Sequence, residues 1–174
     1  RRMAPKIRGI DPDLEGKVTN IRDFIIVGSL DLDGDKAILG SELARTLSAN
    51  VGDKINIFSP GNINQILQEL DRVEKEGDKT SATALKQMIL PMELTVAGIF
   101  ESGRYLYDSE FLLVPLHIGQ EIYSLGGGAH GLAVKTRDPF LADQVKNELN
   151  ATLTPPNLAL TWIDLNKQLF EAIR

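Results

Sequence analysis

The chain has 174 residues, 43% hydrophobic and 25% charged, which is typical of a globular protein. It contains no cysteine, which excludes thiol chemistry, disulfides and cysteine metal sites. The net charge is −5, and the only basic cluster lies at the amino end, which argues against a nucleic-acid surface. The longest apolar runs, such as FLLVPL, are strand-sized rather than membrane-sized, and the amino end lacks the apolar core of a signal peptide.

Short β-like runs bounded by Gly, Pro, Asp and Asn dominate the chain and predict a mixed sheet. In chain order they are KVTNI, DFIIVGSL, KAILG, DKINIFS, MELTVAGIF, EFLLVPL, HGLAVKT and LALTWI. Helices are fewer, so the pattern favours an α+β fold.

The stretch DLDGDK between the second and third runs allows two interpretations. Asp31, Asp33 and Asp35 resemble the start of an EF-hand loop, with Glu42 at the twelfth position. Gly34 comes fourth rather than sixth, however, and Asp33-Gly34 is the dipeptide that a type I′ hairpin turn favours. We therefore expect a β-hairpin and no calcium site.

Three helices are predicted around these strands. SELARTLSANVG begins at residue 41, with Ser41 as its N-cap and Gly52 near its end, and PLHIGQEIYSLGGG ends at its glycines. DPFLADQVKNELNATL has Asp138 as its cap and Pro139 at the first helical position. This third helix is flanked by GLAVKT and LALTWI, which makes a strand–helix–strand unit, half of a ferredoxin-like fold. A final helix begins near Asp164.

Residues 59–92 interrupt the β pattern. Apolar residues recur there with helical spacing, and a second, shorter stripe follows after EKEGDK. We expect an inserted helical hairpin that projects as a partner-contacting arm or packs on the domain itself. The side chains proposed for partner contact are Ile63, Ile66, Leu67 and Leu70.

The residue types that could carry chemistry lack the context that chemistry needs. Gly126, Gly128 and Gly131 match G-x-G-x-x-G, but a helix precedes them and a strand follows, the reverse of a nucleotide site. His117 and His130 lack ligand spacing or an orienting partner. We expect no catalytic residue, no cofactor and no metal.

The stretch GRYLYD predicts an exposed loop. Arg104, Tyr105 and Tyr107 lie in it, and arginine and tyrosine are favoured at the centres of protein interfaces. An ordinary loop anchored by two aromatic side chains is the alternative to a partner contact.

Five segments occur in an order that resembles a known family. They are IRGIDP, AILGSELARTLSANVGDKINIFSP, LTVAGIFESGRYLYDSEFLLVPL, GLAVKTRDPFLADQVKNEL and TWIDLNKQLFEAIR. This order is similar to the extracytoplasmic domain of ABC transporter permeases of the LolC/LolE lipoprotein-releasing type, which group with the MacB and FtsX permeases.

The resemblance implies a β-rich Sabre-like lobe and a ferredoxin-like Porter lobe. Residues 1–125 would form the first, with the arm at 59–92 inserted. Residues 126–174 would form the carboxyl-terminal half of the second and lead to a transmembrane helix. The other half of the Porter lobe precedes RGIDP in the family and is not among these residues. The family's carrier-binding hook has no recognisable counterpart in 59–92, so its residues are not transferred.

The resemblance also implies a function without catalysis. The chain would be a periplasmic domain of an inner-membrane permease in a Gram-negative bacterium, relaying ATP-driven motion during lipoprotein release. Its partners would be the transmembrane helices, a cytoplasmic ATPase subunit, a periplasmic carrier and a second permease as homo- or heterodimer. The alternatives are export of a peptide or macrolide, a cell-division regulatory permease, and a secreted enzyme.

Overall fold

The computed structural model describes residues 3–58 and 91–167 and divides the chain into two compact units, residues 1–132 and 133–174. The boundary expected from the sequence was at 125/126, ahead of the glycine-rich stretch that the structure assigns to the first unit. Strands and helices both occur, and the sheet mixes parallel and antiparallel pairs, so the predicted α+β class is confirmed.

The first unit is built on a mixed sheet. Its described strands are β1 (Lys6–Ile10), β2 (Ile25–Gly28), β3 (Lys36–Gly40), β4 (Lys54–Ile57), β5 (Met92–Phe100) and β6 (Phe111–Pro115). The order is β1-β6-β3-β5-β2, and β4 also pairs with β5. The pairs β1/β6 and β3/β5 are parallel, and the other pairs are antiparallel.

The expected hairpin across residues 31–35 is wrong. Strand β2 runs antiparallel to β5, whereas β3 runs parallel to β5, so the two strands pair with β5 and not with each other. Gly34 does adopt the positive φ of 68° that the turn chemistry requires. Asp33 does not adopt a positive φ, so the type I′ turn, which needs positive φ at both positions, does not form either. Strand β5 supplies the hydrogen bonds that a hairpin would have made between β2 and β3.

Short helices cover the sheet of the first unit: α1 (Pro12–Val18), α2 (Ser41–Leu47), α3 (Tyr105–Glu110) and α4 (Leu116–Ile122), with a 3-10 turn at Ile21–Phe24. The side chains of a strand alternate between faces, so two buried clusters form. One packs under α2 and α4 and includes Leu39, Leu43 and Leu112. The other includes Ile38, Phe100 and Leu113.

Three local predictions in this unit need correction. KVTNI is not a strand: α1, which the Asp11 side chain caps and Pro12 starts, ends on its first two residues, and Ile21 begins the 3-10 turn. Ser41 is the first residue of α2 rather than its cap. The helix ends at Leu47, well before Gly52, and is capped by Ser48, which takes a left-handed conformation at φ 58°. The stretch GRYLYD contains α3 instead of a loop.

The second unit contains a 3-10 turn (Pro139–Leu141) and the helices α5 (Ala142–Thr152) and α6 (Trp162–Leu165). The Asp138 side chain accepts a hydrogen bond from the Phe140 amide at 2.9 Å, so the predicted cap is confirmed. A capping box between Thr161 and Asp164 starts α6, near the predicted position.

The strands expected on both sides of α5 are not formed. Residues 131–136 carry no strand, and 158–163 contain irregular backbone followed by the start of α6. A strand needs a hydrogen-bonded neighbour. Neither segment has such a neighbour among the described residues.

Candidate functional site

The first cleft lies on the sheet face covered by α2 and α4. It has a volume of about 770 Å³. Its walls are mostly apolar: Ile7, Leu43, Leu47, Ile55, Ile57, Phe58, Leu112 and Ile122. At its rim Lys54 Nζ lies 2.6 Å from a carboxylate oxygen of Glu93, and this hydrogen bond raises the pKa of Lys54. Such a cleft suits an apolar side chain or acyl chain better than a charged substrate.

The second cleft lies on the opposite sheet face. Leu113 lines it, whereas the preceding Leu112 lines the first cleft, and neighbouring strand residues point to opposite faces. Its volume is about 330 Å³. Its lining combines aromatic and polar side chains: Arg8, Glu15, Thr19, Ile21, Phe24, Phe100, Ser102, Arg104, Tyr107, Phe111 and Leu113.

A buried carboxylate stabilises the wall of the second cleft. Glu15 is 8% exposed, and its Oε1 accepts hydrogen bonds from Arg8 Nη2 at 2.8 Å and from Thr19 Oγ1 at 2.9 Å. These contacts join α1 to β1, since Arg8 is a β1 residue. Pairing compensates a carboxylate removed from water, so Glu15 serves to fix the cleft wall.

The structure places the predicted residues Arg104, Tyr105 and Tyr107 at the start of α3. Arg104 and Tyr107 line the second cleft, whereas Tyr105 is 69% exposed and is not among its lining residues. The Tyr107 ring stacks on Phe111 with a centroid distance of 4.9 Å. The other predicted contacts, Ile63, Ile66, Leu67 and Leu70, lie outside the described residues.

Sequence reasoning missed the residue that shapes this segment. Asp108 is 4% exposed, and its Oδ1 accepts hydrogen bonds from the Ser102 amide at 2.8 Å and the Ser102 hydroxyl at 2.7 Å. Ser102 Oγ in turn accepts from the Arg104 amide at 3.2 Å. No local motif links Ser102 with Asp108, because their contact depends on how the chain turns into α3.

The acidic stretch at 31–35 is occupied by internal contacts. The Asp31 carboxylate accepts hydrogen bonds from Lys36 Nζ and, at 3.1 Å, from the Asp33 amide. The Lys36 bond and then the Asp33 amide hold the pKa of Asp31 below its ordinary value. Over residues 3–58 and 91–167, no three acidic or histidine side chains converge as a metal site would require.

The other candidate residues are dispersed. Ser41 Oγ is buried without a hydrogen-bond partner, so no base activates it. His117 is exposed on α4, and His130 packs edge-on against Tyr123 at 5.0 Å. The glycine run beginning at Gly126 follows α4 in a turn and does not open a helix, so it lacks the geometry of a phosphate loop.

No described helix has both the length and the apolar character needed to cross a bilayer.

Comparison with known proteins gives one consistent result. No protein-family model matches the chain. It is 28% identical, over 97% of its length, to the lipoprotein-releasing system transmembrane protein LolC of Neisseria meningitidis, of which it spans 37%. It is 27% identical, over its whole length, to the protein of the same name from Xylella fastidiosa strain Temecula1, of which it spans 38%. The predicted resemblance is thus confirmed: the chain is similar throughout to part of the LolC transmembrane proteins of lipoprotein-releasing systems.

Proposed function

We propose that this chain is the periplasmic domain of an inner-membrane ABC transporter permease that releases lipoproteins. The observation that carries the proposal is the similarity to LolC transmembrane proteins over 97% to 100% of the chain. The chain spans less than two fifths of those relatives. Membrane-spanning segments and the coupling to an ATPase would therefore belong to the rest of the parent protein.

The role proposed for the domain is mechanical rather than chemical. It would dock a periplasmic carrier and relay ATP-driven movement between the cytoplasmic ATPase and the released lipoprotein. Two observations support this role. The buried Ser41 hydroxyl lacks an activating base, and the first cleft is lined mostly by apolar side chains. Apolar clefts are suited to binding rather than to acid–base catalysis.

We further propose that the second unit is half of a Porter-like lobe. Among residues 133–167 only Thr161 is buried, while Phe140, Leu158 and Leu165 are 87%, 67% and 72% exposed. So much exposed apolar surface on a small unit favours packing against further chain. A preceding segment of the parent that supplies the other half of the fold would provide the missing strand neighbours.

Partner contact by residues 59–92 also stays a proposal, carried by the sequence pattern alone. Ile63, Ile66, Leu67 and Leu70 share one face at helical spacing. Arg104, Tyr105 and Tyr107 at the start of α3 are a second candidate contact, and Arg104 and Tyr107 line the second cleft. The parent permease would pair with a second permease, which would be either a second copy of itself or a paralogue.

The proposal is tested in cells that depend on the full permease. Depleting it should leave a reporter lipoprotein in the inner-membrane fraction, and expressing the intact permease should return the reporter to the outer membrane. The double variant Ile66→Ser, Leu70→Ser should fail to restore this sorting. The matched control Gln65→Ser, Glu69→Ser, which alters polar positions of the same segment, should succeed.

Other results would refute lipoprotein release. If sorting is unchanged on depletion while sensitivity to a macrolide or export of a peptide changes, the permease transports another amphiphile. If depletion disturbs septum formation alone, the permease has a cell-division role instead of lipoprotein release. Turnover of an ester or peptide by the isolated chain, lost in Ser41→Ala, would indicate an enzyme instead.

A further inference from the structure

The second cleft carries one uncompensated positive charge. Three ionisable side chains that are charged at neutral pH line it: Arg8, Glu15 and Arg104. Arg8 and Glu15 neutralise each other through their 2.8 Å contact. Within the described residues, the Arg104 guanidinium has neither an ion pair nor a hydrogen bond, and the nearby Asp108 carboxylate is bound to Ser102 instead. An anion is the natural complement of this site, although the whole chain has a net charge of −5.

Aromatic side chains surround that charge. Phe24 and Tyr107 are 40% and 45% exposed at the cleft, and Phe100 and Phe111 line its interior. The stack of Tyr107 on Phe111, with only 10° between the ring planes, holds the Tyr107 ring in one orientation. A rigid aromatic wall loses little entropy on binding, which is why tyrosine and arginine are enriched at interface centres.

We propose that the second cleft binds a segment of a partner protein in which a carboxylate side chain neighbours a large apolar side chain. Arg104 would bind the carboxylate through its two parallel N–H groups, a geometry that suits arginine. The apolar side chain would enter the cleft between Phe24 and Tyr107. A volume of about 330 Å³ is at the lower end for ligand pockets, which matches one large side chain better than a cofactor. The proposal does not depend on lipoprotein release.

Local bonding supports this assignment by holding Arg104 in place. Its amide is bonded to Ser102 Oγ, which Asp108 also binds, so the backbone that presents the guanidinium is fixed. The second cleft also lies on the sheet face opposite to the first cleft and its rim at Lys54. A partner bound there would leave the first cleft free.

The test is a titration of the full 174-residue chain, labelled with ¹⁵N, with N-acetyl-Asp-Phe-amide. Saturable shifts should concentrate on the amides of residues 19–24 and 100–111. Two analogues, N-acetyl-Asn-Phe-amide without the charge and N-acetyl-Asp-Ser-amide without the apolar group, should each bind at least about fivefold more weakly.

Variants separate the specific site from general attraction. Arg104→Gln should weaken binding at least about fivefold and abolish the preference for Asp over Asn. The affinity of Arg104→Lys should lie between those of the wild type and Arg104→Gln, since lysine keeps the charge but not the planar fork. The matched control Arg137→Gln removes an exposed positive charge from the second unit and should leave affinity unchanged. Because Arg104 is exposed and its side chain has no hydrogen bond or ion pair to the part of the chain that the structure describes, its variants should keep wild-type spectra away from the cleft.

Three results would overturn the proposal. The first is the absence of saturable shifts, or shifts confined to other surfaces. The second is an equal loss of affinity in Arg104→Gln and Arg137→Gln. In the third, 3-phenylpropanoate binds as tightly as the dipeptide, which would assign the cleft to a free carboxylic acid rather than to a protein segment.

Discussion

At the residue scale, Gly40 is a position where side-chain size matters. It ends β3 and precedes α2, with its α-carbon against the backbone of Asp108. A Cβ added at Gly40 would lie 2.3 Å from the Asp108 carbonyl oxygen and 2.7 Å from its carbonyl carbon. Because both atoms are backbone, α3 would have to move to make room. Gly40 thereby sets the approach of α3, and with it the position of Arg104.

We expect Gly40→Ala to destabilise the first unit by about 2 kcal/mol or more, since overpacking forces the backbone to shift. The matched control is Gly16→Ala within α1, where an added Cβ meets no atom within 4 Å. That control should be more stable than the wild type by about 0.5–1 kcal/mol, because alanine is a better helix former. Urea unfolding followed by far-UV circular dichroism measures both changes. A Gly40→Ala protein as stable as the control would contradict the close contact.

At the element scale, the second unit is joined largely by polar contacts between its helices. Lys146 of α5 lies 3.0 Å from a carboxylate oxygen of Asp164 in α6 and 3.2 Å from one of Asp143. The Asn150 side chain bonds the backbone of Ala159 in both directions. Trp162 Nε1 donates to the Pro139 carbonyl oxygen at 3.3 Å. The capping box of Thr161 and Asp164 is central to this network, since both helices meet there.

The capping box predicts an acid-sensitive second unit. The Thr161 amide, followed by Lys146, holds the pKa of Asp164 below its ordinary value. A depressed carboxyl pKa contributes stability that is complete above the unfolded value of about 3.9 and is lost as the pH falls through the folded pKa. Trp162 fluorescence during urea unfolding should show this loss of stability below about pH 4. The variant Asp164→Asn has no carboxyl to titrate at this position and should lose less stability over the same pH range.

Thr161→Ala should destabilise the second unit at neutral pH by about 1 kcal/mol, the usual cost of losing a helix cap. The conservative change Thr161→Ser keeps the hydroxyl and serves as the control. Equal urea-unfolding midpoints for the Ala and Ser variants, measured by Trp162 fluorescence, would show that the cap contributes nothing to the stability of the second unit.

At the scale of the whole molecule, the two units differ in how much apolar surface they bury. The first contains two buried clusters with fully enclosed side chains such as Ile38, Leu39 and Val114. In the described part of the second unit Thr161 is the buried residue, and the apolar side chains of Val134, Phe140 and Trp162 are exposed. Hydrophobic burial is the main favourable term in folding, so the first unit should be more stable than the second.

We therefore expect two unfolding transitions in the isolated chain. The single tryptophan, Trp162, lies in the second unit and reports on it alone. Its fluorescence should change at lower urea than the far-UV circular dichroism of the strands, which belong to the first unit. Coincident transitions would show that the units unfold as one. Adding the rest of the parent protein should raise the fluorescence midpoint if further chain packs on the second unit.

Local sequence patterns determined much of the secondary structure. Strands β2 to β6 lie within the predicted β-like runs, and helices α4 and α5 lie within their predicted segments. The positive φ of Gly34 and the Asp138 cap were also predictable. These features depend on hydrophobic spacing, capping and backbone preference, all of which are set by residues close together in the chain.

The tertiary structure alone decided which strands pair and which side chains meet. Strands β2 and β3 both pair with β5, so the predicted hairpin does not form, and the segments flanking α5 lack a strand neighbour. The second cleft brings Arg8, Phe24 and Arg104 together from distant parts of the chain. Pairing and cleft formation depend on contacts between residues far apart in sequence, and the periodicity of a single segment carries no information about its partner.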